Sequence, residues 1–135
     1  ALTEHAPQAE VIGTYPGYTR SQGYQTVSAL LRDGMRFDAI ITQTDAAALG
    51  AIDALVEAEI RPADVFIVSS NNESAINGYI RDRYYVRGTF DTNRTEHSGI
   101  LMNAIIKLLA GSPVPEFVIR SGGEMVTAES FLPAN

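Results

Sequence analysis

The sequence predicts one α/β domain over residues 1–135: a doubly wound parallel sheet of about five strands with helices on both faces. Three observations carry that expectation. Short β-branched runs alternate with longer stretches of helical period, the chain order of parallel strands joined by right-handed crossovers. The runs DAIIT and VFIVSS are nearly continuous in apolar residues, as strands become when helices cover both faces of a sheet. Turn and cap residues fall at the junctions between the two kinds of segment.

In chain order, the expected strands are Glu10–Thr14, Asp38–Thr42, Val65–Ser69, Val86–Phe90 and Glu116–Ile119, with a weaker one at Glu124–Thr127. Helical stripes lie between them. Val27, Leu30 and Leu31 form the first, ended by Gly34 just past Asp33. Ala48, Leu49, Ile52, Leu55 and Val56 form the second, and Ala75, Ile76, Tyr79 and Ile80 a shorter third. The longest runs through Ile100, Leu101, Ala104, Ile105, Leu108 and Leu109, and stops at Gly111 with Pro113 beyond it. Thr19 with Gln22, and Asn93 with Glu96, each read as a capping box. No internal repeat or low-complexity linker is present; SPVPEF and RSGGEM, near the end, carry turn residues around the last short strands.

Composition narrows the function. Hydrophobic residues make up 45% of the 135 and charged ones 19%, the mix of a chain that buries a core. The apolar runs are a few residues long, against the roughly 20 that a spanning helix needs. Ten Lys and Arg against 16 Asp and Glu give a net charge of −6, which argues against a broad nucleic-acid or anionic-membrane surface. The absence of cysteine removes disulfides, thiolate nucleophiles and thiolate metal sites. The opening ALTEHAPQAE has no charged n-region or apolar core, so any export signal is expected outside this sequence.

In a parallel α/β sheet the ligand site lies at the carboxyl ends of the strands, where loops lead into helix N-termini. Four loops qualify: 15–20, 43–46, 69–74 and 91–95. Together they hold Tyr15, Tyr18, Arg20, Gln43, Thr44, Asp45, Ser70, Asn71, Asn72, Asp91, Thr92, Asn93 and Arg94. Amides, hydroxyls, carboxylates and flat rings suit a neutral, hydroxyl-rich ligand. Each residue also has a plainer reading. Asp45 and Asp91 stand where aspartate caps a helix, Asn71 and Asn72 where a turn carries an N-cap, and Tyr18 where a surface turn places an aromatic. Tyr84 and Tyr85, at the opposite end of their strand, read as packing or interface residues.

Catalysis is poorly supported. His5 and His97 stand in no nucleophile or metal-ligand spacing, and the sole lysine, Lys107, falls deep in a helix. No GxGxxG or GxxxxGK[ST] loop is present, and Ser121-Gly122-Gly123 reads as a turn. Asp45 and Asp91 fit capping or ligand hydrogen bonding better than paired acid–base work. A non-enzymatic binding protein without cofactor or metal is expected.

The stretches DAIITQTDAAALGAIDALVEAEI, DVFIVSSNNESAINGYIRD and VRGTFDTNRTEHSGILMNAIIKLLAG, in that order, resemble the type I periplasmic sugar-binding proteins, including the ribose-binding type. Those proteins follow a strand with A-x-N-D-x-x-A-L-G-A, then V-x-V-V-G-F-D, then T-V-x-Q-x-P-x-x-x-G and a long helix ending L-L-x-G. GYTRSQGYQTVSALLRDGMRFDAI resembles their aromatic-x-R loop and the helix after it. The resemblance spans nearly the whole chain and is most specific in the ALGA block.

Carried over residue by residue, the resemblance places the stacking aromatic at Tyr18 and its arginine at Arg20. The strand-end asparagine falls on Thr44, the following aspartate on Asp45, the Phe-Asp pair on Ser70 and Asn71, and the glutamine on Thr92, beside Asp91. Thr44, the Ser70-Asn71 pair and Thr92 depart from the pattern. The resemblance implies a carboxyl-terminal lobe lacking its first strand. It also implies a small polar ligand of the sugar class, a membrane permease as partner in an ABC-type importer, and a periplasmic or lipoprotein location. The effector core of a LacI-type transcription regulator is the alternative; RPADVFIVSSNN stands closer to the transport proteins than to the regulators' V-P-x-D-V and F-D-D. A missing central strand would leave the Asp38–Thr42 edge open, so Glu10–Thr14 is expected either to shift across to it or to pair within a homodimer.

Overall fold

The computed structural model describes residues 2–116 and 122–133. Its elements are α1 (Leu2–His5), α2 (Arg20–Arg32), β1 (Ala39–Ile41), α3 (Asp45–Glu57), β2 (Phe66–Ser70), α4 (Ser74–Arg81), β3 (Val86–Asp91), α5 (Arg94–Leu109) and β4 (Glu124–Thr127), followed by a 3-10 turn at Ala128–Phe131. The four strands form one sheet in the order β1-β2-β3-β4. β1, β2 and β3 are parallel, with Ile40 beside Ile67 and Ser69 beside Thr89. β4 runs antiparallel to β3, with Asp91 beside Glu124. The α/β class with a mostly parallel sheet is as expected.

Local chemistry explains the helices. Thr19 caps α2 through its side chain, and Gln22 returns the bond, so that capping box forms. Thr44 caps α3 by accepting the Ala47 N–H. Asn93 makes no side-chain cap on α5: it stands at φ 50°, and its amide donates to Glu96 at 2.8 Å, so the second expected box does not form. Gly34 and Gly111, both at positive φ, end α2 and α5 where a side chain would be strained.

The core lies on one face of the sheet. Ile52 and Leu55 of α3, Ile76 and Ile80 of α4, Ile67 of β2, and Tyr85 and Val86 at the start of β3 are buried together, with Val27 of α2 joining from the far side of α3. Tyr85 buries its ring and donates its hydroxyl to the Ile60 carbonyl, while Tyr84 packs edge-on against it with ring centres 4.9 Å apart. That pair is packing at the amino end of the strand, as its position suggests.

Two features differ from expectation. Glu10–Thr14 is not a strand: it is irregular and unpaired, with Val11 66% exposed, and it does not cross to β1. A β-branched run becomes a strand only with a partner ladder, and none reaches this one. Glu116–Ile119 falls mostly on residues 117–121, outside the described residues. The second difference is burial: the three parallel strands alternate between more buried and more open positions, so Ile41, Phe66 and Phe90 emerge on the second face, Ile41 at 77% exposure. α5 buries none of its residues, and among the described residues β1 has no strand on its outer side.

Candidate functional site

The carboxyl ends of β1, β2 and β3 point the same way because the strands are parallel, and the start of antiparallel β4 joins them. Asp45 is the hub of this end. It is fully buried in the first turn of α3, next to the true cap Thr44. Its Oδ1 accepts hydroxyl hydrogens from Ser69 at 2.5 Å and Thr89 at 2.7 Å. Its Oδ2 accepts the Glu73 backbone N–H at 2.6 Å. One carboxylate therefore binds the end of β2, the end of β3 and the entry to α4. Burying a charge is costly unless hydrogen bonds replace its water, and here three do.

The chain of bonds continues outward. Thr89 Oγ1 also accepts the Asn72 backbone N–H at 3.2 Å. Asn72 Nδ2 donates to Asp91 Oδ2 at 2.9 Å, and the Asn93 backbone N–H donates to Asp91 Oδ1 at 2.7 Å. The Asn72 amide first and then the Asn93 N–H hold the Asp91 carboxyl below the ordinary carboxylate range; burial opposes them, and the nearby Arg94 charge adds a smaller lowering. The turn that carries these bonds is strained: Asn71 stands at φ 114° and Asn72 at φ 52°. Arg94 at the start of α5 approaches Glu73 at 3.8 Å, tying the last two loops together.

The expected site residues separate into two groups. Tyr18 is 61% exposed at the rim, and its carbonyl accepts the Thr44 hydroxyl at 2.6 Å, so Thr44 anchors the Tyr18 loop. Ser70, Asn71, Asp91 and Thr92 are half-buried around the strand ends. Asn71 donates its N–H to the Phe90 carbonyl at 2.9 Å, extending the ladder into the loop. Arg20 points elsewhere: its guanidinium makes two bonds, at 2.7 and 2.9 Å, to Asp53 on α3. Asp45 and Thr44 are buried below the surface.

Asp91 opens on a cleft of about 430 Å³ that it lines with Asn93, Gly122, Gly123 and Glu124, within the ~300–1,000 Å³ range of small-molecule sites. At Gly123 an added Cβ would sit 2.8 Å from the Asp91 carbonyl carbon, so this wall closes only around a residue without a side chain. Sequence reasoning took Gly122-Gly123 as a turn alone and missed Ser69 and Thr89, while Asn72 stood in one of the four loops without its tie to Asp91. A hydroxyl in the middle of an apolar strand was the available signal for Ser69 and Thr89. A shallower depression of about 280 Å³, lined by Ala75, Gly78, Tyr79, Asp82 and Tyr84, lies away from the strand ends. Among the described residues no group of three or more His, Asp or Glu could hold a metal, and no helix is long and apolar enough to cross a membrane.

No protein-family model and no curated protein sequence matches the chain. Solved structures do. A Mycobacterium smegmatis protein in complex with β-D-fucofuranose superposes with a TM-score of 0.81 at 26% identity, covering 94% of this chain and 41% of its own. The periplasmic binding protein of the arabinose ABC transporter from Shewanella sp. ANA-3, bound to α- and β-L-arabinofuranose, gives 0.80 at 25% identity, covering 96% and 43%. A galactofuranose binding protein gives 0.81 at 19% identity and shows the fold alone, covering 95% and 44%. The chain spans about two fifths of the length of these neighbours, the last two of which are binding proteins by name. It thus has the periplasmic-binding-protein-like fold, and over nearly its whole length it is similar to part of the sugar-binding receptors of ABC importers.

Proposed function

We infer that the chain supplies one side of a sugar-binding site in a solute receptor serving an ABC-type importer outside the cytoplasm, with a membrane permease as the receptor's partner. The observation that carries this reading is the polar surface at the strand ends. Tyr18, Ser70, Asn71, Asp91 and Thr92 surround it, and beneath it runs a continuous hydrogen-bonded floor from Asp45 to Asn93. A floor of amides, hydroxyls and the outward Asp91 carboxylate suits a neutral polyhydroxy ligand. Thr44, Asp45 and Arg20 support this surface from below or behind. Two neighbours at 25% identity or more hold sugars in the furanose form, which makes a five-membered sugar ring the first ligand to test.

One open side buries only part of a ligand, so the expected affinity of the chain by itself is millimolar. The test is a titration of the isotope-labelled chain with the locked methyl furanosides and pyranosides of L-arabinose, D-fucose and D-ribose, followed by amide chemical shifts. Shifts at Asn71, Asp91 and Asn93 with the furanosides are expected. No shift with any of the six at tens of millimolar would refute the reading.

A further inference from the structure

Resting on that reading, we propose that Asp91 is the carboxylate that accepts two adjacent hydroxyls of the ligand, and that Asp45 and Asn72 are positioning residues that aim it without touching the ligand.

Two aspartates stand at the carboxyl ends of the strands, with Glu124 beside Asp91 on the cleft, and the surroundings of the aspartates divide the work between them. Asp45 has no exposed surface, and both its oxygens are occupied by Ser69, Thr89 and Glu73. No ligand reaches it. Asp91 is half-buried on the wall of the cleft, and each of its oxygens receives one protein hydrogen bond, from Asn93 N on Oδ1 and Asn72 Nδ2 on Oδ2. An ionised carboxylate offers about four lone-pair sites, two on each oxygen. Among the described residues these two bonds leave one site on each oxygen. That is a bidentate acceptor, and its complement is a pair of neighbouring O–H donors, which a vicinal diol presents.

The aim of that acceptor is set through Asn72. The Asn72 amide turns Nδ2 toward Asp91, because its carbonyl oxygen would face a like partial charge there. This orientation leaves Asn72 Oδ1 buried without a hydrogen-bond partner among the described residues. A fold keeps such an unmet acceptor only where the other end of the amide is held firmly, and the backbone shows how. Asn72 is fixed at φ 52° by its N–H on Thr89 Oγ1, and Thr89 in turn donates to Asp45. The next residue, Glu73, gives its own N–H to Asp45. Asp45 thus reaches Asp91 through Thr89 and Asn72, across three elements of the fold.

The test compares methyl β-D-ribofuranoside with its 2-deoxy analogue on the full chain, read as dissociation constants from amide shifts. The wild-type chain should bind the diol about tenfold more tightly, the usual worth of a hydrogen bond to a charged group. Asp91→Ala should abolish that ratio. Asn72→Ala and Thr89→Val should bring it within about twofold of unity while leaving the protection of core amides such as Leu55 unchanged, which a merely structural role would not do. Thr89→Val keeps the shape of the side chain and serves should Asp45→Asn fail to fold. A tenfold ratio that survives in Asp91→Ala or Asn72→Ala overturns the proposal and leaves sugar binding standing. Equal binding of both sugars by the wild-type chain also overturns the proposal alone. Binding of neither overturns it together with the sugar reading.

Discussion

Replacing Gly50 by alanine tests how α2 and α3 are held together. In an open helix, Gly→Ala stabilises by about 1 kcal/mol through helix propensity. At Gly50 the sign should reverse. An added Cβ there would overlap the Arg20 carbonyl oxygen and lie 2.7 Å from Tyr24 N and 2.8 Å from the Arg20 carbonyl carbon. Comfortable carbon contacts begin near ~3.5 Å, so the helices must part by at least about 0.7 Å, and backbone cannot rotate away as a side chain can. Overpacking of this kind costs ~1–3 kcal/mol, and parting the helices also loosens Val27 against α3. Subtracting the propensity gain leaves a net loss of up to about 2 kcal/mol. Gly78→Ala on α4 is the control, because an added Cβ there meets nothing within 4 Å; it should stabilise by about 0.5–1 kcal/mol. Urea denaturation of the three proteins, with slopes compared, reads both effects. A Gly50→Ala midpoint at or above that of the wild type would refute the close helix crossing.

The bond from Asn72 predicts that Asn72→Ala raises the Asp91 pKa toward its ordinary 3.8, seen by titrating the carboxyl carbon; an unmoved midpoint would contradict the geometry. Because the folded value is the lower one, this carboxylate adds stability above pH 3.8 that fades as pH falls through the folded value. Leu55→Ala, at a side chain with no exposure, should cost about 2–5 kcal/mol, and a loss under 1 would place Leu55 outside the core. The six large apolar residues that α5 leaves exposed, Leu101, Met102, Ile105, Ile106, Leu108 and Leu109, predict self-association of the isolated chain with rising concentration. Sedimentation of Ile105→Glu/Leu109→Glu should show it weakened, and a monodisperse wild-type chain at ~100 µM would count against the reading.

The legible parts were those written in local periodicity. The spacing from Ala48 to Val56 placed α3, and the run at Val86–Phe90 came within one residue of β3. Loops at strand ends followed from parallel topology, so Tyr18, Asn71 and Asp91 could be placed on one end of the sheet before any coordinates. Partners could not be read in the same way. Glu10–Thr14 has strand composition, but whether a ladder lies beside it is decided by the rest of the fold. Arg20 stands in a site loop, and only the crossing of α2 on α3 delivers Asp53 to it. Asp45 was legible as a junction aspartate; that Ser69 and Thr89 turn their hydroxyls to it depends on the register of two strands.

The sheet order also has a kinetic meaning. β1, β2 and β3 lie side by side in the order in which they are made, so each pairing closes only the span of one intervening helix, and such short closures form early. β4 differs. β3 ends at Asp91 and β4 begins only at Glu124; among the described residues β4 pairs with β3 alone, and Val126 is its one buried residue. Contacts this distant in sequence form late. Gly123 and Glu124 form one wall of the Asp91 cleft, so the order of pairing predicts that the cleft is completed only after the parallel strands have come together.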